Sequence, residues 1–242
     1  MNRLLIIDFD KKLSIFSILF MFITIVLIYI IAYYYASFNL SYYEILEQNE
    51  LLKNNYITDT FQVVEVIGVI FVIFLVELEL FNNIDNFDAY FISITSKKKV
   101  FAVKIFNYLS IIFIYILYNY IGIVSIYILR FKDIEILFFE SKLFISLYIY
   151  LIFIFMIAYL LLLAFYNYFT AIVVFVMYWC SKLFVTTEFD KIFKVIFFRL
   201  EYDLNKYEVA FTIDFIYIIV YIIVVYFICR VIYLKKDLKL KN

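Results

Sequence analysis

Long runs of apolar residues alternate with short polar segments along this chain. The hydrocarbon core of a bilayer is about 30 Å thick, and about 20 predominantly apolar helical residues cross it. No run shows the alternating pattern of about ten residues that is typical of an outer-membrane strand. The pattern therefore predicts an all-α, polytopic membrane protein with a single domain over residues 1–242 and six transmembrane helices, at Leu13–Tyr35, Phe61–Leu80, Val100–Leu129, Leu143–Ala164, Tyr168–Val185 and Phe215–Leu234.

Two of the flanking segments are amphipathic. In Met1–Lys12, apolar and charged residues alternate, which is compatible with either a short amphipathic helix on the membrane surface or a solvated tail. In Lys182–Phe211, aromatic and aliphatic residues recur at i, i+3, i+4 and i+7, so we expect an amphipathic outer segment between the fifth and sixth helices. The first apolar run is longer than the core of a cleavable signal peptide, and no A-x-A-like site follows it.

The composition indicates the class of protein, and the placement of the charged residues indicates its orientation in the membrane. Hydrophobic residues make up 68% of the chain, against roughly 45–50% in soluble domains. The net charge is zero, and nothing in the sequence indicates a nucleic-acid partner. With the N-terminus inside, the inner segments hold twelve of the 21 basic residues and seven of the 21 acidic ones. Because inner loops are enriched in Lys and Arg, we expect both termini on the cytoplasmic side of the plasma membrane.

Several kinds of active site are excluded by the residues that are missing. The chain has no His and two Gly, which removes His-based catalysis, His metal sites and glycine-rich nucleotide-binding loops. We therefore expect no catalytic residue, no metal or cofactor, and no enzymatic activity. Cys180 and Cys229 are expected near opposite membrane surfaces, too far apart for a disulfide.

Among the polar residues inside the predicted spans, Glu65 in the second and Asn119 in the third are candidates for a pathway or an interhelical contact. A carboxylate in a membrane span is by default a functional candidate. Glu65 is also about four residues from the outer end of its span, so it could lie at the headgroup level. Asn119 could line a pathway or form a hydrogen bond between helices.

The segment between the second and third spans, Glu77–Lys104, changes from acidic to aromatic to basic. Its lysine run could be a positive-inside anchor, with the aromatic residues resting on the inner leaflet. The same pattern could also be a short helix presented to a cytosolic partner. On the second interpretation the contacting residues are Asp85, Phe87, Asp88, Phe91, Lys97, Lys98 and Lys99.

The stretch Ser96–Lys104 resembles the loop after the second span in permease subunits of ABC-2 type ATP-binding-cassette transporters. In that family, a Ser–basic pair is followed seven residues later by Lys at the start of the third span, and Lys97 and Lys104 keep this spacing. Glu77 and Glu79 fall where the family carries acidic residues. The chain also resembles the family in length, in six spans, in a surface helix before the first span, and in an outer segment that re-enters the membrane before the last span.

The resemblance implies a transport subunit without its own motor. Two such subunits, identical or related, would enclose a path, and two cytosolic ATPase subunits would dock on Asn82–Lys99. Most members of the family export their substrates. Two other classes remain open: a non-transporting membrane protein, such as an immunity factor or assembly scaffold, and a stand-alone secondary transporter. The latter often uses helices broken by Gly or Pro, and this chain has two Gly and no Pro.

Overall fold

The structure is a computed structural model that describes residues 15–37, 45–81, 92, 95–131, 137–165, 169–183, 200–203, 208–211 and 215–235. These residues form six helices and one short β-hairpin. Their bounds are α1 Ile15–Ser37, α2 Ile45–Phe81, α3 Lys97–Phe131, α4 Leu137–Phe165, α5 Phe169–Leu183, β1 Leu200–Asp203, β2 Glu208–Phe211 and α6 Phe215–Lys235. The predicted all-α class is confirmed.

Five of these helices, α1 to α4 and α6, are long and apolar enough to cross a bilayer. The chain is therefore a multi-pass helical membrane protein. Helix α5 is equally apolar in character but has 15 residues, a rise of about 22 Å at 1.5 Å per residue. That rise is less than the roughly 30 Å of a bilayer core, so the sixth span stays a prediction.

Helix α2 is much longer than its predicted span, which began at Phe61. It starts at Ile45 and continues for 37 residues, or about 55 Å. Tyr56, Ile57 and Thr60 are buried, so the segment before the predicted span packs into the protein as a continuation of the same helix. The apolar run in the sequence predicted only the part of α2 that is long enough to cross the bilayer core.

Helices α2, α3 and α4 form the centre of the bundle. In each of their candidate spans 61% of the residues are buried, compared with 28% in α1 and 22% in α6. Helix α4 packs against α2, α3, α5 and α6, whereas α1 packs on α2 and α3 at one side and α6 packs on α3 and α4 at the other. The outer faces of α1 and α6 are consequently apolar and exposed.

Tyr115 on α3 ties three helices together at the centre. Its hydroxyl donates to the Val64 carbonyl of α2 at 3.2 Å and lies 3.4 Å from Thr24 Oγ1 of α1. Its ring stacks on Phe71 with centroids 4.8 Å apart. Gly68 makes this close packing possible, because a Cβ there would lie 2.9 Å from a Leu151 methyl carbon of α4 and 3.2 Å from the Tyr115 ring.

The segment predicted to be amphipathic between α5 and α6 ends in a hairpin. Leu200 of β1 pairs with Phe211 of β2 in antiparallel register, and both strands contact α4. The helical periodicity expected up to Leu200 is wrong at that residue, because it already belongs to a strand. Residues 184–199 and the predicted surface helix Met1–Lys12 lie outside the described residues.

Candidate functional site

A charged contact joins α2 to α5 within the protein. Glu65 is 1% exposed, and its carboxylate lies 2.8 Å from Lys182 Nζ. The Tyr178 hydroxyl donates to the same oxygen, Oε1, at 3.3 Å. Lys182 Nζ also lies 5.8 Å from the centre of the Tyr178 ring, within cation–π range. Glu65 therefore faces the protein and makes an interhelical ion pair.

A second polar contact joins the first turn of α5 to a residue nearer the C-terminal end of α2. Thr170 Oγ1 donates to Glu77 Oε1 at 3.2 Å, and both residues are buried. Glu65 and Glu77 are twelve residues apart on α2, and Thr170 and Lys182 are twelve residues apart on α5. The equal spacing is what two antiparallel helices of the same pitch require, so the two contacts fix one register between α2 and α5.

The positions of Glu77 and Lys182 also match the dipole of α5. A helix carries partial positive charge at its N-terminus and partial negative charge at its C-terminus. Glu77 contacts Thr170 in the first turn of α5, and Lys182 lies in the last turn. Each charge therefore lies near the end of α5 that it stabilises, which helps to hold a helix of only four turns.

We call the end of the bundle where α3 begins and α6 ends the basic end. Lys97 Nζ donates to the Leu234 carbonyl of α6 at 3.4 Å. One turn later, the Phe101 ring lies 5.2 Å from that of Tyr233 and 5.6 Å from that of Tyr226. Lys104 is buried, with Nζ 5.9 Å from the Tyr233 ring centre.

These α3 residues occupy positions i, i+4 and i+7, which form one face of a helix. That face packs along the last turns of α6. Lys97 also suits the carbonyl end of α6, because cations near a helix C-terminus are stabilising. The first two turns of α3 are therefore attached to α6 by polar, aromatic and cation–π contacts together.

Ser96 sets the start of α3. Its carbonyl accepts from the backbone N–H groups of Lys99 and Val100 at 2.9 and 3.1 Å, and its Oγ lies 3.4 Å from Lys99 N. Serine is a favoured N-cap because it satisfies a free N–H of the first turn. The Ser–basic pair of the sequence motif is thus the cap and first residue of a helix.

The other predicted site residues are distributed as follows. Lys98 and Lys99 are exposed in the first turn of α3, whereas Asp85, Phe87, Asp88 and Phe91 lie outside the described residues. Asn119 is fully buried, and its Nδ2 donates to the Tyr115 carbonyl of its own helix at 2.8 Å. Its Oδ1 accepts no hydrogen bond from the described part of the chain. Cys180 and Cys229 are both free, as predicted.

Sequence reasoning missed Lys182, Tyr178 and Thr170 as partners of the two α2 carboxylates. The sequence does indicate that Lys182 is unusual, because it is the charged residue at the end of an otherwise uncharged apolar run. Its partner could not be read from the chain, since the ion pair joins residues on two distant helices. In the described ranges, no group of three acidic or Cys side chains could hold a metal ion.

Comparison with known proteins gives no assignment: no family model, no curated protein and no solved structure matches this chain. Functional inference therefore rests on the residues and their contacts.

Proposed function

We propose that the chain is the membrane-spanning permease subunit of an ABC-2 type ATP-binding-cassette transporter, an exporter driven by a separate cytosolic ATPase subunit. In this proposal six spans cross the plasma membrane, and both termini lie in the cytoplasm. The subunit is not itself an enzyme and binds no cofactor. The observation that carries the proposal is the attachment of α3 to α6 through Lys97, Phe101 and Lys104, which lie on one helix face within the family-like stretch Ser96–Lys104.

Charge placement supports the orientation. Lys97, Lys98 and Lys99 begin α3 at the basic end, where α6 ends with Arg230 and Lys235. Basic residues concentrate at the cytoplasmic ends of membrane helices. The basic end is accordingly the cytoplasmic one, and an ATPase would approach from that side.

The contacts at the basic end offer a route for mechanical coupling. A force on Asn82–Thr95 would act first on Ser96 and the first turn of α3. Because Lys97 and Phe101 are packed on α6, a displacement of that turn would also move the end of α6. A movement of the ATPase subunits at the loop would thus be transmitted to both α3 and α6, which lie on the same face of the bundle.

The apolar outer faces of α1 and α6 leave room for a second permease subunit, identical or related. Each of these helices is mostly exposed, with 28% and 22% of its span buried. In the assembled transporter, part of that surface would face the second subunit and the remainder would face lipid.

The proposal is tested by purifying the tagged, full-length chain from the membranes of cells that produce it, after mild cross-linking. The expected result is recovery of a protein with ATP-binding-cassette nucleotide motifs in near-stoichiometric amount. Repeated recovery of the intact chain without any such ATPase would contradict the proposal. It would favour the non-transporting class instead.

A further inference from the structure

A group of basic side chains lies on the surface of the basic end. We call it the basic patch, and its members are Lys98, Lys99, Arg230 and Lys235. The three lysines are exposed and Arg230 is half-buried. Because Lys97 Nζ lies 3.4 Å from the Leu234 carbonyl, the first turn of α3 touches the last turn of α6. The patch is therefore built from two helices that are in contact with each other.

The charge of the basic patch is not neutralised within the described part of the chain. None of its four members forms an ion pair with a described residue, whereas Lys182, near the opposite end of the bundle, pairs with Glu65. The sequence that follows α6 adds three lysines and one aspartate over residues 236–241. The excess of positive charge therefore continues past the last residue of the helix, and it attracts anions.

Lys99 and Lys235 each stand at the end of a stripe of exposed apolar side chains. On α3, Phe106 and Phe113 follow Lys99 at intervals of seven residues and are exposed. On α6, the exposed Val231 and Ile228 precede Lys235 by four and seven residues. Residues four and seven apart lie on one side of a helix. Each stripe therefore carries its positive charge at one end of a lipid-facing surface.

A phospholipid matches both parts of this surface. The acyl chains would cover the apolar stripes, and the headgroup phosphate would lie at the level of the basic patch. Basic residues at the end of a membrane helix attract anionic lipids, by about fivefold in binding constant for each Lys or Arg. A zwitterionic headgroup such as phosphatidylcholine carries no net charge, so it lacks this attraction.

We propose that the basic patch binds the headgroups of anionic glycerophospholipids, with the acyl chains along the exposed stripes of α3 and α6. The inference rests on the packing of the two helices and on the charges at their ends. It does not require the proposed transport function.

Quenching of a single tryptophan by brominated lipids tests the proposal locally. The chain has one Trp, Trp179, on α5 near the opposite end of the bundle. The variant Trp179→Phe with Phe106→Trp moves the reporter to the α3 stripe, about two turns from Lys99. Both proteins are placed in phosphatidylcholine bilayers with increasing fractions of brominated phosphatidylglycerol. The reporter at position 106 should show phosphatidylglycerol enriched at least about fivefold over its share of the bilayer, and Trp179 little enrichment. Equal enrichment at the two reporters would overturn the proposal.

Substitutions in the reporter protein assign the enrichment to the basic patch. Lys98→Gln, Lys99→Gln and Lys235→Gln together remove three exposed charges and should lower the enrichment at position 106 to about twofold or less. Arg at the same three positions keeps the charge and should preserve the enrichment. Lys142→Gln, at an exposed lysine near the start of α4 and so at the opposite end, is the matched control and should change nothing. Enrichment that survives the three Gln substitutions would refute the assignment.

A last comparison separates a lipid from a soluble anion. Inorganic phosphate should leave the quenching unchanged relative to chloride at the same ionic strength, because the acyl chains hold the lipid in place. Displacement of the brominated lipid by phosphate would contradict the proposal and assign the patch to a soluble anion. The assay contains no ATPase, so its failure leaves the proposed function untouched, and the reverse holds as well.

Discussion

Lys182 Nζ lies 2.8 Å from the Glu65 carboxylate, and this pair joins the last turn of α5 to the middle of α2. The pair is asymmetric, since Glu65 is 1% exposed and the Lys182 side chain is 27% exposed. Burial of charge costs free energy, so such a pair is weak evidence for stability in itself. Its clearest structural effect is to select one register between α2 and α5, together with Glu77 and Thr170.

A double-mutant cycle measures that contact. We expect Glu65→Gln and Lys182→Gln each to destabilise the protein by about 1–3 kcal/mol, because each leaves a partner of the ion pair uncompensated. The double variant should lose less than the sum of the two. Thermal unfolding in detergent provides the measurement, and Lys142→Gln, an exposed lysine of α4, is the control. Additive losses would show that the two side chains do not interact.

The contact at Gly68 makes a second prediction, about packing. Gly68→Ala should destabilise the bundle by about 1–3 kcal/mol, because the new methyl group would press against Leu151 and Tyr115, both fully buried. Gly122→Ala is the matched control. Among the described residues its Cβ would meet the flexible side chain of Ile25, at 3.3 Å. Equal unfolding midpoints for the two variants would mean that α2 and α4 are not in close contact at Gly68.

The attachment of α3 to α6 depends on Phe101, which is 1% exposed. Phe101→Ala should destabilise the protein by about 1–3 kcal/mol. This is below the usual cost of a core Phe truncation, because a Phe side chain in detergent or lipid is already out of water before the helices pack, so its burial contributes less. Phe106→Ala, 61% exposed on the same helix, should have little effect on the unfolding midpoint. A loss at Phe106 as large as that at Phe101 would contradict the packing described for α3.

The apolar runs predicted the helices well because lipid imposes a minimum length on each of them. The run Phe215–Leu234 corresponds to α6 at Phe215–Lys235, and Leu143–Ala164 lies within α4 at Leu137–Phe165. The ends of helices that extend beyond an apolar, membrane-spanning run were harder to predict. Helix α2 starts at Ile45 because buried side chains such as Tyr56 extend its packing, and polar neighbours mask that signal in the sequence.

The candidate site was predictable only where its signal is local. The Ser96–Lys97 pair was noted for its spacing to Lys104, and in the structure Ser96 caps a helix that begins at Lys97, three residues before the predicted start at Val100. Glu65 was singled out as an intramembrane carboxylate, but its pairing with Lys182 depends on how α2 and α5 pack, which no local pattern encodes. The hairpin at Leu200–Phe211 was missed because alternation over four residues per strand is too short to outweigh the helical pattern before it.

The proposed orientation makes a labelling prediction. Single cysteines replace Asn49 and Asn86 in a background that lacks Cys180 and Cys229. A membrane-impermeant thiol reagent on intact cells should label the cysteine at 49, and the one at 86 should be labelled only after permeabilisation. The reverse pattern would contradict the assignment of the basic end to the cytoplasm.

The central claim, that an ATPase drives this subunit through the loop before α3, is tested most directly by the loop aromatics. Burial of one Phe side chain contributes roughly 1.5–3 kcal/mol, and aromatic anchors often dominate protein contacts. The measurement is the amount of ATPase recovered with the purified chain, for wild type, for Phe87→Ala with Phe91→Ala, and for the lipid-facing pair Phe106→Ala with Phe113→Ala. We expect all three proteins to insert normally into the membrane. Only the variant with Phe87→Ala and Phe91→Ala should recover less ATPase than wild type, by at least tenfold. Equal recovery from all three would show that the loop only anchors the chain to the membrane.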